Sequence, residues 1–260
     1  MKSLVVRTKP RELSQGSKTM LILSIDSSAT AASVALMEDS KLIGEFFVNT
    51  DFTHSRTLAP MIDNLLNVTG KSVADIDLVA VSNGPGSFTG VRIGVSVAKG
   101  IAFPDDLPCM AVSTLEAMAY NLVLTDCIVC AVMDARRNQV YNAMFSIEYG
   151  EVHRLCEDRA ISLEELKAEI SQQYEGKRII LVGDGSTITM RELMDLPKSV
   201  EMAPEALRFQ RASSVALCAQ SRINSGEVPK KSAELLPSYL RLSQAERERK
   251  EKQLADNKSE

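Results

Sequence analysis

A turn near the amino terminus carries residue types that bind phosphates or metal ions. Asp26-Ser27-Ser28 follows the apolar run 21–25, which predicts a buried strand ending in a carboxylate and two hydroxyls. Such a turn can hold a metal ion, orient a phosphate, or only satisfy its own backbone through side-chain hydrogen bonds. The three residues alone do not separate these uses.

A second turn is rich in glycine. Residues 83–94, NGPGSFTGVRIG, connect a predicted strand at 76–81 with a predicted helix at 91–102. A helix that begins after such a turn offers free backbone N–H groups to an anion, although glycine equally permits close approach of another backbone. The spacing fits neither the P-loop nor the dinucleotide-binding pattern. The candidates for contact with a phosphate or nucleotide are Asp26, Ser27, Ser28, Gly84, Gly86, Ser87, Thr89 and Gly90.

Two predicted helices offer surfaces for a partner. Segment 54–68 has an apolar stripe with helical spacing, and Pro60 indicates that the helix either kinks there or begins near it. In the helix after the glycine turn, small residues recur every fourth position, so one face has almost no side-chain bulk. Both helices could simply pack on their own sheet; we predict that part of them contacts a partner. The predicted interface residues are Leu58, Met61, Ile62, Leu65, Gly90, Gly94 and Ala98.

The pattern of elements predicts an α/β fold in two similar lobes. Strand-rich segments are followed by helices twice along the chain, and the second half opens with a predicted hairpin at 127–133 and 140–147. The predicted divisions are a disordered extension at 1–19, an N-terminal lobe at 20–123, a C-terminal lobe at 124–244 and a charged tail at 245–260.

Two helix starts carry the Ser-x-x-Glu pattern of a capping box, in which serine and glutamate satisfy each other's backbone N–H groups. Ser113 and Glu116 predict the start of a helix at 114–124. Ser162 and Glu165 predict the start of another that ends near residue 174.

Composition narrows the class of function. With 30 basic and 34 acidic residues the net charge is −4, which argues against a chain that binds RNA by itself. No apolar run approaches the roughly 20 residues of a membrane span, so we expect no membrane-spanning segment. The expected location is the cytoplasm. Cys127 and Cys130 have C-x-x-C spacing but lie in an apolar run with no second pair, so we predict core residues and no metal site.

Five segments together resemble one family. The chain is similar to the TsaB (YeaZ) family, the dimerisation subunit of the bacterial machinery that makes threonylcarbamoyladenosine in tRNA. The resemblance runs from about residue 20 to residue 241. Its segments are 25–28 (IDSS), 54–60 (HSRTLAP), 84–94 (GPGSFTGVRIG), 134–141 (DARRNQVY) and 237–241 (PSYLR).

The resemblance implies a fold and the absence of the paralogue's metal site. The fold would be that of actin, Hsp70 and sugar kinases, known as ASKHA. The catalytic paralogue in this machinery, TsaD, binds a metal through His-x-x-x-His on the helix after the glycine turn. The matching positions here are Thr114 and Met118, which are poor ligands for such an ion. The resemblance therefore implies no catalytic residue and no metal ligand in this chain, and a vestigial phosphate loop.

The resemblance also implies partners. They would be a TsaD-like catalytic paralogue and a TsaE-like ATPase, with tRNA reached only through the complex and a possible homodimer in isolation. ATP or ADP and a divalent metal would belong to the assembled complex and not to this chain alone. An ATP-dependent phosphotransferase or ATPase of the same fold class is the alternative. A metallopeptidase-like hydrolase is disfavoured by the missing histidine pair.

Overall fold

The first β-sheet has five strands. The computed structural model describes residues 19–50, 52–195 and 199–241. The strands are β1 (Leu21–Asp26), β2 (Ala31–Glu38), β3 (Lys41–Asn49), β4 (Leu78–Gly84) and β5 (Cys109–Ser113). Their order is β3-β2-β1-β4-β5. The β1–β2 and β2–β3 pairs are antiparallel, whereas β1, β4 and β5 are parallel.

The second sheet repeats this plan. Its strands are β6 (Cys127–Asp134), β7 (Gln139–Glu148), β8 (Glu151–Arg154), β9 (Arg159–Ser162), β10 (Ile179–Val182) and β11 (Val200–Met202). The order is β11-β10-β6-β7-β8, and β9 also pairs with β7. Like β1, β6 lies between an antiparallel hairpin partner and a parallel strand. Two similar lobes are therefore present, as predicted.

Seven α-helices flank the sheets in the described part of the chain. They are α1 (His54–Thr69), α2 (Phe88–Ala102), α3 (Thr114–Ala119), α4 (Leu163–Gln173), α5 (Ser186–Glu192), α6 (Glu205–Arg208) and α7 (Ala212–Asn224). Short 3-10 helices lie at Val73–Asp75, Tyr120–Leu122 and Ser232–Glu234. Helix α1 begins at His54 and runs through Pro60, so the proline does not set its start.

The first sheet is covered by helices from both halves of the chain. Helices α1 and α2 pack on one face, with a core that includes Leu58 and Val95. Helix α7 packs on the other face, where Val215 and Cys218 meet Ile22 of β1. The strands of the first sheet end at Ser113 and those of the second sheet begin at Cys127, whereas α7, which follows the second sheet in the chain, packs on the first. All but Thr19 of the predicted extension, and all of the predicted tail, lie outside the described residues.

One predicted capping box is present and the other is not. Ser162 and Glu165 cap α4 reciprocally, as predicted. Ser113 does accept the backbone N–H of Glu116 at 3.2 Å, and α3 ends at Ala119 before a 3-10 turn. The Glu116 carboxylate, however, does not accept a hydrogen bond from the backbone N–H of Ser113. It binds arginines instead, as described below.

Cys127 and Cys130 are buried in β6, as predicted. Of the helices in the described ranges, none combines the length and apolar composition that crossing a membrane requires.

Candidate functional site

A cleft lies where strand ends from the two sheets face each other. Its volume is about 730 Å³, and residues that follow β1, β4, β6 and β10 contribute to its walls. Ligands of open α/β sheets bind outside the carboxyl ends of parallel strands, so this is the position expected for a site. The lining includes Ser28, His54, Ser87, Thr89, Asp134, Arg136, Asp184 and Tyr239.

Asp26 ends β1 beneath the cleft and is fully enclosed. Its carboxylate accepts hydrogen bonds from the backbone N–H of Ser28 at 2.9 Å and from the Ser28 hydroxyl at 2.8 Å. The hydroxyl of Ser82 on β4 donates to the other oxygen. Burial raises the pKa of Asp26 above its ordinary value, and the bonds from Ser82 and Ser28 oppose the rise. Of the three uses that the sequence left open, these contacts match the last, in which the side chain accepts hydrogen bonds from its own turn.

The glycine turn packs tightly on other parts of the chain. A Cβ atom at Gly90 would overlap the carbonyl oxygen of Ser27, and one at Gly86 would overlap that of Ser28. The Ser87 backbone N–H donates to the Ser28 carbonyl at 2.7 Å. The structure thus brings the predicted phosphate-loop residues together. It also shows that close approach of the 26–28 turn is sufficient reason for these glycines.

Two carboxylates lie on the second-sheet side of the cleft. Asp134 ends β6, and Asp184 follows β10 between two glycines. Asp184 has an exposed surface in the cleft, yet the protein around it removes enough water to raise its pKa, and a hydrogen bond from Gln210 opposes the rise. A strand followed by Gly183-Asp184-Gly185 was the available sequence signal. No group of three or more His, Cys, Asp or Glu side chains suited to a metal occurs in the described ranges.

The residues predicted to contact a partner face the interior instead. Leu58, Met61, Ile62 and Leu65 belong to the core between α1 and the first sheet, and Ala98 has no exposed surface. Gly90 and Gly94 accommodate Ser27, whose hydroxyl donates to the Gly90 carbonyl at 2.9 Å. The predicted faces are therefore wrong, because the element that needs the small residues is the turn after β1.

Thr114 and Met118, for which the resemblance implies histidines in the paralogue, are enclosed. Thr114 and Met118 on α3 have at most 1% of their surfaces exposed. The Thr114 hydroxyl has no hydrogen-bond partner, and the Met118 sulfur lies 3.1 Å from the Cβ position of Gly183. Neither side chain faces the cleft.

Glu116, also on α3, is at the centre of an ionic cluster that sequence patterns missed. Arg154 on β8 donates to its carboxylate at 2.9 Å, and Arg222 on α7 donates at 2.5 Å. Arg154 also pairs with Asp158 at 2.6 Å. Glu116 is partly buried, which raises its pKa, but the hydrogen bonds and charges of Arg222 and Arg154 outweigh burial and lower it overall. The cluster joins α3 to elements of both sheets.

Substitution of Asp26 should separate hydrogen bonding from ionisation. Asp26→Ala leaves the donors from Ser28 and Ser82 unsatisfied, so we expect a loss of about 1–3 kcal/mol. Asp26→Asn retains an acceptor and cannot ionise. Because the folded pKa of Asp26 is raised, ionisation penalises the native state as the pH rises above 3.8. The stability of Asp26→Asn relative to the native protein should therefore increase as the pH rises above 3.8, until the folded pKa of Asp26 is passed, as measured by urea denaturation. A constant difference across this range would contradict the prediction.

Comparisons with known proteins give the family. A family model described as "TsaD: tRNA N6-adenosine threonylcarbamoyltransferase" matches residues 49–249. The tRNA threonylcarbamoyladenosine biosynthesis protein TsaB of Escherichia coli is 33% identical over 76% of this chain and 91% of its own length. The chain belongs to the TsaB family. The protein of that name from Bacillus subtilis is 29% identical over 87% of this chain and 96% of its own length.

A solved structure agrees with this assignment. YeaZ from Pseudomonas aeruginosa has a TM-score of 0.73 and 26% identity, covering 85% of this chain and 100% of that one. The ASKHA fold expected from the resemblance is thereby confirmed. Proteins of the TsaB family take part in threonylcarbamoyladenosine biosynthesis.

All five segments that carry the resemblance to the TsaB family meet at the cleft. Residues from each of them line it, including Ser28, His54, Gly86, Arg136 and Tyr239. The His54 ring contacts the Ala29 carbonyl through Nε2 at 2.7 Å. Segments that are far apart in the sequence thus line a single cleft.

Proposed function

We propose that this chain is a non-catalytic subunit of the enzyme system that transfers threonylcarbamoyl to adenosine of tRNA. It acts by pairing with a TsaD-like catalytic paralogue, in a cytoplasmic complex that also contains a TsaE-like ATPase. The observation that carries the proposal is the enclosure of Thr114 and Met118, since the paralogue would need accessible ligands at these positions. The catalytic metal and ATP or ADP belong to the complex, and tRNA is reached through it.

The outer face of α2 is the surface we assign to pairing. Ile93, Val97 and Ile101 recur every fourth residue and are half-buried, and Phe103 just after the helix is 77% exposed. A Cβ atom at Gly100 would have no neighbour within 4 Å. Partly exposed apolar side chains beside a glycine with open space around it can receive a helix of the paralogue, or of a second copy in isolation. Ile93, Val97 and Ile101 follow Gly90, Gly94 and Ala98 by three positions each, so this face lies beside the one predicted from the small residues.

Gly100→Glu tests this surface without disturbing the fold. The new side chain enters open space on a helix, where glutamate is favoured over glycine, so melting should stay near that of the native protein. We expect at least about tenfold weaker association with the paralogue, since a charge would be buried in an apolar contact. Gln172→Glu, at an exposed position of α4, is the matched control and should leave association unchanged.

Activity is followed in the same experiment. The pure chain should neither modify tRNA nor hydrolyse ATP. Addition of the paralogue, the ATPase component, tRNA and threonylcarbamoyl adenylate should yield modified tRNA, less of it with Gly100→Glu. Robust turnover by the pure chain would overturn the non-catalytic role. Normal association of Gly100→Glu would overturn only the assigned surface.

An ATPase or phosphotransferase remains the second candidate because one observation favours it. The cleft places Asp134 and Asp184 opposite the amino-terminal end of α2, and phosphoryl transfer uses acidic residues near a phosphate-binding turn. Hydrolysis of ATP by the pure chain, abolished by Asp184→Asn, would support this alternative.

A further inference from the structure

Residues 235–241 cross the mouth of the cleft from one sheet to the other. At the first sheet, the Ser238 backbone N–H donates to the Asn83 carbonyl at 2.7 Å. The Asn83 side-chain amide donates to the Leu236 carbonyl at 3.0 Å. These paired bonds hold the segment against the end of β4.

Aromatic and cationic side chains fasten the middle of the segment. The Tyr239 ring stacks on Phe88 with centroids 4.7 Å apart. Arg92 on α2 lies over the Phe88 ring at 3.8 Å and donates to the Tyr239 hydroxyl at 2.7 Å. Stacking and cation–π contact add to the backbone bonds, so this end of the segment is fixed to α2.

The segment reaches the second sheet through Arg241. Its guanidinium donates to the Ala135 carbonyl at 2.9 Å, in the turn between β6 and β7. Ser238, Tyr239, Leu240 and Arg241 all line the cleft between these two attachments. A seven-residue connection therefore joins the two walls.

Gly84 is adapted to this segment. Its φ is 121°, and a Cβ atom there would overlap the Ser238 carbonyl oxygen. Part of the glycine turn is thus occupied by the chain itself.

We propose that residues 235–241 are a strap that fixes the separation of the two sheets and closes one side of the cleft. The strap makes the two walls interdependent, because an attachment lost at one sheet frees the segment that restrains the other. The bound strap keeps the lobes at one spacing, and its release opens the cleft.

Amide hydrogen exchange measures this dependence directly. Tyr239→Ala removes the aromatic part of the attachment at the first sheet, which leaves the hydrogen bonds with Asn83, and should speed exchange in the turn 135–139 of the second sheet by at least about tenfold. Arg241→Ala removes the other attachment and should speed exchange at 83–90 by a similar factor. Tyr239 is 40% exposed, so its removal should leave the global melting temperature almost unchanged.

Two further variants sharpen the test. Leu236→Ala is the matched control, since its side chain is 66% exposed and the strap bond at this residue comes from the backbone. Arg92→Met removes the hydrogen bond from α2 to the Tyr239 hydroxyl without changing the strap itself, and it should reproduce the effect of Tyr239→Ala. Exchange that increases only at the substituted end would overturn the proposal, as would an equal increase in Leu236→Ala.

Discussion

Gly94→Leu should destabilise the protein by about 3 kcal/mol. A Cβ atom at this position lies 2.5 Å from the Ser27 hydroxyl oxygen and 3.7 Å from Val81, so a larger side chain forces α2 away from the turn after β1. The melting temperature should fall by roughly 6–12 °C, since each 1 kcal/mol corresponds to about 2–4 °C in a protein of this size. Thermal melting followed by circular dichroism and urea denaturation measure both quantities.

The control for this substitution lies on the same helix. Gly100→Leu places an equal side chain in open space and replaces glycine within a helix, so stability should stay level or rise slightly. If Gly94→Leu instead melted like the native protein and only lost association with a partner, Gly94 would belong to an interface after all. The pair of variants therefore decides which side of α2 faces inward.

Glu116→Ala should cost about 3 kcal/mol at neutral pH. The change leaves Arg154 and Arg222, both largely buried, without their shared carboxylate, although Asp158 still pairs with Arg154 and Glu227 lies 3.7 Å from Arg222. The folded pKa of Glu116 is lowered, so its contribution is fully present above its ordinary pKa of 4.5 and is lost as the pH falls through the folded value. The deficit of Glu116→Ala relative to the native protein should therefore shrink in acid, as urea denaturation across this range would show.

An exposed ion pair provides the comparison for Glu116. Glu201 pairs with Arg178 at 2.6 Å, but both side chains are at least half exposed. Glu201→Ala should consequently cost less than about 1 kcal/mol. Equal losses from the two substitutions would contradict the importance assigned to the buried cluster.

Local patterns predicted the elements well. The hairpin of β6 and β7, helix α1 and the cap at Ser162 all depend on residues close together in the chain. Periodicity and turn chemistry carry this information because each involves neighbours within one or two turns of the backbone.

Long-range partners were beyond such patterns. Glu116 fits the capping-box spacing, but it pairs with arginines 38 and 106 residues away. Similarly, small residues at every fourth position on α2 indicate that another element packs closely there, but they do not identify it. The structure shows that this element is the turn at Ser27. Asp134 and Asp184 become site residues only because the two sheets face each other.

The position of α7 has a consequence for how the chain folds during synthesis. Strands β1, β2, β4 and β5 are complete by residue 113, but their apolar face, with Met37 and Met110, is covered by a helix that begins at Ala212. Until the ribosome has released that helix, the first sheet exposes a surface that promotes aggregation. We therefore expect the nascent chain to bind a chaperone during about half of its translation. A fragment ending near residue 123 would keep this surface exposed permanently.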